Sequence, residues 1–529
     1  MFNNWRTDRT LFRVTLLGAT LVIMATFLRS EQWELNFFFT SDTLYLPSIF
    51  RDIFLDGGRF VDWSLNPAPN FFPDMGVYFM IQALVGDLRW AHYLFPIVQF
   101  VLIAILFRAI VHEAGIKGAS WGSVLGAQLL ILVLLTGWWG GDFGFAFHLL
   151  VNSFHGGAFV NALLCTWLLL CAHRRDRSWP WVMLAFVAFA AAMSNKLFWI
   201  MFSIPAVVSI LVLAIQSPGR RRVLGLGATV ALASISGHVS LLLLDQYLPL
   251  QIESPYAYLA FERIAFSWGR FIEMLRVYLG GHPMVAATIA IGLAVTITSL
   301  VIGFRTSLAW LRSPREARDP VAERRVLAVL LWALFMPAVL LAPVLNGSFD
   351  GLDSLRYNFS VFAVAPLVLG LWLACRLGSA SSKVALVLLI VIMLPALWAC
   401  VSAGSTGYQR LSKYKPEVAE QFDQLTAGKG LRNGVANYWM AKRIMHFSDQ
   451  DVMILAVHPE VGMYVHVNRP QMYLDSVFNF VILHDELPKA YMTELFKQDT
   501  GFHSTEHLEV MVTPPWRFDP VMQKPAVRP

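Results

Sequence analysis

The chain has 529 residues, of which 57% are hydrophobic and only 14% are charged. Soluble domains carry about 25% charged residues, so this composition, with a mean hydropathy of +0.56, excludes a string of soluble domains and predicts an α-helical polytopic membrane protein. The net charge of +6 does not indicate a nucleic-acid partner, because the arginines are clustered in short segments between apolar spans, where they set membrane orientation. The four cysteines form no CxxC pair, so we expect neither a disulfide framework nor a zinc site.

Apolar windows of about 20 residues predict eleven transmembrane helices. The first window lacks a convincing cleavage site, so we expect it to remain as the first transmembrane helix. The fifth and sixth windows are separated only by Asn195 and Lys196, which predicts a tight helical hairpin. The predicted spans are residues 11–29, 90–110, 121–139, 152–171, 179–195, 197–216, 223–244, 284–304, 326–345, 357–375 and 384–402.

Positive charge alternates along the loops between these spans. Arginine and lysine recur in every second loop, from Arg6 and Arg9 before the first span to Arg376 and Lys383 before the last. By the positive-inside rule these loops face the cytoplasm, and the acidic loop 30–89 and the tail face the opposite side. The sequence therefore predicts a multi-pass membrane protein, surrounded by membrane lipids, with a cytoplasmic N-terminus.

The first long loop carries an amphipathic pattern. Between residues 44 and 55 the apolar side chains recur three and four positions apart, which places them on one helical face, whereas Arg51 and Asp52 fall largely on the other. The pattern predicts a helix lying on the membrane surface. We expect loop 30–89 to belong to a transmembrane domain of residues 1–401.

The tail beyond the last span has a different composition. Charged and polar residues return in residues 402–529, which predicts a small C-terminal extracytoplasmic α/β domain. Short β-branched or aromatic runs are typical of strands. The predicted strands are residues 452–457, 463–467, 478–483 and 508–512, and the predicted helices are residues 437–447 and 486–497.

Two aspartates in the first loop are candidate functional groups. Asp42 follows the first span, where a carboxylate beside the lipid boundary suits a general base; the alternative is an N-cap for the helix that follows. Asp74 lies in a segment made irregular by three prolines. Irregular backbone at membrane depth is tolerated where it is buried or lines a wet cavity, so Asp74 is either a substrate-binding group or a helix cap.

Cations near the outer ends of late spans are the next candidates. Arg356 and Tyr357 open the tenth span, and the planar guanidinium suits a phosphate; the alternative is an arginine that reaches towards the lipid headgroups. Lys196 in the hairpin either binds an anion or reaches the interface in the same way.

His148, Asn152 and His155 are spaced four and three residues apart, which predicts that they share one helical face. They indicate a sugar site, a metal site or polar packing between helices. A third strong metal ligand is not visible in the sequence, so a divalent metal is not supported and no cofactor is expected.

With these residues placed, the chain resembles the glycosyltransferase C superfamily, and within it the protein mannosyltransferase and lipid A aminoarabinose transferase type. Two departures from the family pattern are visible: a single aspartate stands where the family has a paired acidic motif, and the proline segment lacks the usual Pro-Pro-Leu. The resemblance rests on Asp42 in Thr40-Ser41-Asp42-Thr43, the proline segment 67–75, Ser194-Asn195-Lys196, and Leu355-Arg356-Tyr357 with Pro366.

The resemblance implies transfer of a sugar from undecaprenyl phosphate to an envelope lipid or glycan, less so to a protein, on the periplasmic face. By that analogy Asp42 is the base, and Arg356 and Lys196 hold the departing lipid phosphate. Tyr357, Asp74, His148 and His155 are expected to contact substrate. Three other classes stay open on the residues alone. One is a transporter or flippase, the second is a membrane acyltransferase centred on a histidine such as His238, and the third is a structural assembly protein with the tail domain as its binding module.

Overall fold

The computed structural model describes residues 2–139, 148–174, 178–247, 251–252, 260–313, 319–485, 487–496, 500–505, 508–519 and 525–526. The chain forms two compact units. The first, called here the helical unit, comprises Met1–Arg29, Asn70–Leu242 and Pro255–Tyr408. The second, called the α/β unit, comprises Ser30–Pro69, Leu243–Ser254 and Gln409–Pro529.

The first loop is therefore divided between the units. Its first part, Ser30–Pro69, belongs with the C-terminal segment, whereas the sequence predicts that all of loop 30–89 belongs to the transmembrane domain. Hydrogen bonds within the α/β unit explain the difference. The backbone N–H of Ser64 donates to the Asn468 carbonyl at 2.8 Å, and β1 (Ser64–Leu65) pairs with β2 (Gln251–Ile252).

Every predicted span coincides with a helix. Across the described ranges, seven helical stretches are long and apolar enough to cross a membrane: Thr7–Arg29, Leu88–Glu113, Gly156–Arg174, Arg220–Tyr247, Pro283–Arg312, Pro320–Leu345 and Phe359–Ser412. The last contains two predicted spans. Shorter apolar helices account for the other three and for one more segment of the first loop: Ala119–Leu135, Trp179–Ser194, Trp199–Ala214 and Phe71–Val85. The fold class is confirmed: the protein is an α-helical polytopic membrane protein with a small α/β part.

The remaining helical segments are short or connect the spans. A helix at Ile264–Gly280 precedes the span that begins at Pro283, and a 3₁₀ helix at Leu352–Tyr357 precedes the span Phe359–Leu377. The final helix, Ser381–Ser412, is interrupted at Gly404, where φ is 52°. Irregular π-helical turns begin two of the shorter apolar helices, at Phe71–Met75 and Trp199–Ser203.

Glycines allow two helices to approach at backbone distance. A Cβ on Gly370 of helix Phe359–Leu377 would lie 2.2 Å from the backbone nitrogen of Gly126 in helix Ala119–Trp139. A Cβ on Gly122, one turn away, would lie 2.9 Å from the Cα of Leu371. Such small-residue contacts are how helices associate where lipid removes the hydrophobic driving force.

The α/β unit is built around a mixed sheet. Its strands are β3 (Asn433–Ala436), β4 (Met453–Ala456), β5 (Phe478–Leu483), β6 (Gly501–Ser504), β7 (Glu509–Phe518) and β8 (Pro525–Ala526). The order is β4-β3-β5-β7-β6, with β8 paired to β7. β3 is parallel to both neighbours, whereas β7 is antiparallel to its partners. The helices of this unit are Gln32–Leu35, Tyr45–Phe54, Glu417–Thr426, Tyr438–Phe447, Pro470–Asp475 and Lys489–Phe496.

One predicted strand of this unit is wrong. Residues 463–467 make only a single bridge, from Met463 to Val457, because Val461, two residues before the segment, and Val467, at its end, adopt left-handed φ angles of 57° and 49°. The other three predicted strands lie within or overlap β4, β5 and β7. Both predicted helices are present, although residues 486 and 497 at the ends of one prediction lie outside the described residues.

The predicted amphipathic helix is present as Tyr45–Phe54. Leu46 and Ile49 are fully buried, as the pattern predicts for its apolar face. Asp52 differs from the prediction, because its side chain is 3% exposed and accepts hydrogen bonds from Trp63 and Arg469. The face that the sequence assigns to water is therefore buried at this position.

The close helix pair gives a test of packing. Gly370→Ala places a methyl group against backbone atoms of Gly126, which cannot rotate away. We expect a loss of roughly 1–3 kcal/mol in the free energy of unfolding, the usual cost of overpacking, measured by SDS-induced unfolding in detergent micelles. Gly269→Ala is the matched control, because nothing lies within 4 Å of its Cβ position, and replacing a helical glycine there should be neutral or slightly stabilising. Equal stability of the two variants would contradict the described helix contact.

Candidate functional site

The segment that follows residue 69 is fixed to the hairpin of the fifth and sixth spans. Asn70 has a left-handed backbone with φ of 58°; its N–H donates to the Ser194 carbonyl at 3.0 Å and its side-chain amide to the Ser153 carbonyl at 3.2 Å. The N–H of Phe72 donates to Ser194 Oγ at 2.9 Å, and Asn161 donates to the Phe72 carbonyl at 2.9 Å. These bonds supply partners for an irregular backbone that an apolar bundle would otherwise leave unsatisfied.

Asp74 lies at the centre of this region, in the π-helical turn Phe71–Met75. Its side chain is 2% exposed and accepts a hydrogen bond from the backbone N–H of Gly157, at the N-terminus of helix Gly156–Arg174. Burial raises the pKa of Asp74 to about 8, and the Gly157 hydrogen bond opposes that rise. The carboxyl is therefore largely protonated at neutral pH. Its Oδ1 has no partner among the described residues, which leaves this group available to a bound molecule.

The alternative of a helix cap does not apply to Asp74. The helix that follows begins at Gly76 with Met75 before it, and no side chain accepts a hydrogen bond from its N-terminus. Gly157 is required instead, because a Cβ at that position would lie 2.4 Å from Asp74 Oδ1. The carboxyl occupies the space that a side chain at residue 157 would fill.

The hairpin presents Asn195 and Lys196 in the same part of the helical unit. The Asn195 amide lies 3.1 Å from Nδ1 of His155, and its own oxygen accepts the N–H of Leu197 at 3.0 Å. Lys196 is half-buried in the turn, and its carbonyl accepts the N–H of Trp199 at 3.2 Å. The Asn195 side chain therefore joins the hairpin to the histidine that precedes helix Gly156–Arg174.

Arg356 and Tyr357 lie on the other side of His155. The Tyr357 ring packs on the His155 ring at 5.1 Å between centroids. Arg356 stacks over the Tyr357 ring at 5.3 Å and donates to the Tyr357 hydroxyl at 3.3 Å. Burial lowers the pKa of both His155 and His148, and the positive charge of Arg356 lowers it further. Both imidazoles are therefore neutral, and both lie close to the guanidinium.

The predicted shared helical face of His148, Asn152 and His155 is wrong. The helix begins only at Gly156, and residues 148–155 form turns with Ser153 at a φ of 63°. His148 packs against Phe154 at 5.2 Å between ring centroids. The two histidines still share the neighbourhood of Arg356, but they reach it from an irregular segment. Residues 140–147 of the predicted loop lie outside the described residues.

Asp42 belongs to the α/β unit. Its Oδ1 accepts a hydrogen bond from the Tyr438 hydroxyl at 2.5 Å, and Ser41 Oγ donates to the Tyr438 carbonyl at 2.5 Å. The helix Tyr45–Phe54 has Leu44 at its N-cap, with no side-chain hydrogen bond there. Asp42 is thus held by a tyrosine of the segment Gln409–Pro529, and the N-cap interpretation is not supported.

Sequence reasoning missed several residues of the cluster in the helical unit. Asn161 carries a visible signal, because an amide within a membrane span requires a polar partner. Gly157 carries a weaker one, since adjacent glycines indicate a close approach. Nothing in the spacing points to Asn70 or to Tyr438. Among the described residues, no three His, Cys, Asp or Glu side chains are grouped as metal ligands.

No protein-family model matches the chain, and no curated protein matches it. Among solved structures, the chain is similar to the crystal structure of ArnT from Cupriavidus metallidurans bound to undecaprenyl phosphate. The similarity covers 95% of this chain and 97% of that chain, with 14% sequence identity and a TM-score of 0.46. A likeness this distant does not establish activity, which is inferred below from the side chains of this chain.

The contact between Asp74 and Gly157 predicts a non-additive pair of substitutions. Gly157→Ala should cost roughly 1–3 kcal/mol of unfolding free energy, because the new methyl group overlaps the carboxyl. In an Asp74→Ala background the methyl group has room, so most of that cost should vanish, a coupling of roughly 0.5–3 kcal/mol. The measurement is a double-mutant cycle by unfolding in detergent. Gly76→Ala is the control, since nothing lies within 4 Å of its Cβ position, and additive costs for the pair would refute the contact.

Proposed function

We propose that the protein is a membrane glycosyltransferase that moves a sugar from a polyprenyl-phosphate donor to an envelope lipid or glycan, on the periplasmic face of a bacterial inner membrane. The observation that carries the proposal is the cluster of Arg356, Tyr357 and His155 beside a buried carboxyl, Asp74, within a bundle of apolar helices. A lipid-linked phosphate requires a cation that is accessible from the bilayer. Its sugar requires polar groups that water does not already occupy.

Arg356 is the proposed ligand of the donor phosphate. A guanidinium offers a planar set of donors that matches phosphate oxygens, and stacking on Tyr357 restrains its orientation. The neutral imidazole of His155 can add a hydrogen bond to the phosphate without changing the net charge of the site. Lys196 is proposed as the second cation, as the motif resemblance implies.

Asp74 is proposed to bind the transferred sugar. Protonated at neutral pH, it can both donate to and accept from a sugar hydroxyl, and Oδ1 lacks a protein partner among the described residues. Asn161 likewise has a buried Oδ1 that has no hydrogen-bond partner among the residues that the structure describes. Buried polar atoms without partners cost free energy in the absence of a ligand, and a bound hydroxyl group would remove that cost.

The proposed reaction is a single displacement at the anomeric carbon. The acceptor hydroxyl oxygen forms a bond to that carbon while the bond to the lipid phosphate oxygen breaks, and the electron pair leaves on the phosphate. Arg356 stabilises the charge that develops there. The proton of the acceptor hydroxyl passes to a base, and Asp42 keeps that role as a proposal from the motif resemblance. Its hydrogen bond from Tyr438 would orient the carboxylate.

The test is a transfer assay with the purified protein in lipid nanodiscs. Undecaprenyl-phosphate sugars are supplied one at a time with an extract of envelope lipids and glycans, and products are identified by mass spectrometry. We expect one donor to lose its sugar and one acceptor to gain its mass. A protein that moves donor lipid between leaflets without consuming it would be a flippase, and that result would overturn the proposal.

Arg356→Lys separates phosphate binding from contact with headgroups. Lysine keeps the charge but loses the planar fork, so we expect the donor KM to rise and the turnover to fall further if the contact tightens in the transition state. Arg376→Lys is the matched control, because Arg376 stacks on Trp372 at 5.5 Å in the same way, in the last turn of the helix Phe359–Leu377 that follows the 3₁₀ helix of Arg356. Kinetics with a short-chain donor decide the matter. Unchanged constants for Arg356→Lys would remove it from the site.

Asp42→Asn tests the base. The change is nearly isosteric and the asparagine still accepts from Tyr438, so folding should be preserved while turnover falls roughly 10²–10⁴-fold. Tyr438→Phe removes only the hydrogen bond and should have a smaller effect. Near-normal turnover of Asp42→Asn at saturating donor and acceptor would assign the base role to another group.

A further inference from the structure

The α/β unit contains a cavity of about 250 Å³ that the proposed reaction does not use. It lies between helix Tyr45–Phe54, helix Tyr438–Phe447 and the start of β4. Its buried lining combines the polar side chains of Ser48, Asp52, Lys442 and Asn468 with Trp63, Val452 and Leu455, and the half-buried side chains of His446 and Arg469 also line it.

Asp52 and Arg469 form the fixed polar element of this wall. The Asp52 carboxylate, 3% exposed, accepts from Arg469 Nη1 at 2.8 Å and from the Trp63 indole N–H at 2.8 Å. Arg469 Nε–H is buried and has no acceptor within the described part of the chain. A guanidinium held by a carboxylate on one edge, with a donor left over, is arranged to bind a further acceptor.

Lys442 provides a second donor. Its side chain is 2% exposed, and its nitrogen donates to the Val467 carbonyl at 2.7 Å and to Asn468 Oδ1 at 3.1 Å. It lies 5.6 Å from the centre of the Trp63 ring. Burial lowers the pKa of Lys442 to about 7, and the negative charge of Asp42 partly opposes this shift. Near neutral pH this group therefore alternates between an ammonium and an amine that also accepts.

The charges around the cavity balance. Arg469 pairs with Asp52, and Arg51 pairs with Asp56 at 3.3 Å; both pairs line the cavity, as do Lys442 and Asp451. Among the described lining residues, positive charge is not in surplus and does not favour a phosphate or another anion. Donors and acceptors instead alternate, and the remaining wall includes the flexible apolar side chains of Met445, Met453 and Met472.

We infer that this cavity binds a single neutral sugar ring. Each hydroxyl of a sugar both donates and accepts, which matches a wall of paired charges better than it matches an ion. Apolar methionine side chains suit the C–H faces of the ring. The volume is below the roughly 300–1,000 Å³ of pockets for drug-sized ligands, which limits the ligand to one ring. The inference rests on this cavity alone and not on the proposed transferase activity.

Saturation-transfer NMR and calorimetry on the full-length protein in nanodiscs test the inference. The probes are glucose, galactose, mannose, N-acetylglucosamine and xylose, with inorganic phosphate as the competing chemistry. We expect at least one sugar to bind in the millimolar range, as is usual for a few hydrogen bonds, and phosphate not to bind. Asp52→Asn should weaken the affinity for that sugar by about tenfold or more, since a hydrogen bond to a charged group is stronger than one to a neutral amide.

The controls separate this site from folding and from catalysis. Arg51→Ala changes a half-exposed residue at the rim of the cavity, so it should fold even if Asp52→Asn does not. It should weaken the affinity for the sugar. Asp475→Asn makes the same chemical change on an exposed carboxylate outside the cavity and should not alter binding. Arg356→Lys should also bind the sugar normally, so loss of transfer and loss of this site are distinguishable. The inference is overturned if no probe sugar binds, if phosphate binds instead, or if Asp52→Asn and Arg51→Ala bind as tightly as the unchanged protein.

Discussion

The hydrogen bond from the Gly157 backbone to the Asp74 carboxyl is the interaction on which the polar cluster of the helical unit depends. A carboxyl this deeply buried is tolerated only when it is neutral or well partnered, and here a helix N-terminus supplies the partner. The irregular turn that carries Asp74 is in turn fixed by Asn70, Ser194 and Asn161. A side chain at residue 157 would overlap the Asp74 carboxyl, and the packing of the turn against the hairpin would be lost with it.

The same constraint explains why polar residues gather in one region. Along most of their length the spans are apolar, and a polar atom there would find neither water nor a partner. Where the backbone leaves helical geometry, at residues 70–75 and 148–155, carbonyls and N–H groups become available and side-chain amides bind them. The neutral rings of Tyr357 and His155 restrain the Arg356 guanidinium and add no charge of their own to the site.

Sequence patterns predict the helices well, because apolar length and spacing are local properties. They fail at β3, where Asn433-Gly434 is typical of a turn although the strand is an interior strand of the sheet, between β4 and β5. Gly434 is needed there, since its missing side chain leaves room for the Phe480 ring. They also fail to pair Asp42 with Tyr438, Asp52 with Arg469 and Asp74 with Gly157, because these partners are distant in the chain and no spacing encodes them.

The division of the first loop has a consequence for biosynthesis. Asp52 leaves the ribosome long before Arg469, its ion-pair partner, and Ser41 long before Tyr438. At translation rates of about 5–20 residues per second, roughly 20–80 s separate the two halves of these pairs. During that interval a carboxylate destined for burial stays hydrated, and helix Tyr45–Phe54 lacks the surface that buries it. The α/β unit is therefore completed only after the segment that carries Tyr438 and Arg469 has been synthesised, and a ribosome that stalls within the later spans leaves the first loop without its fold.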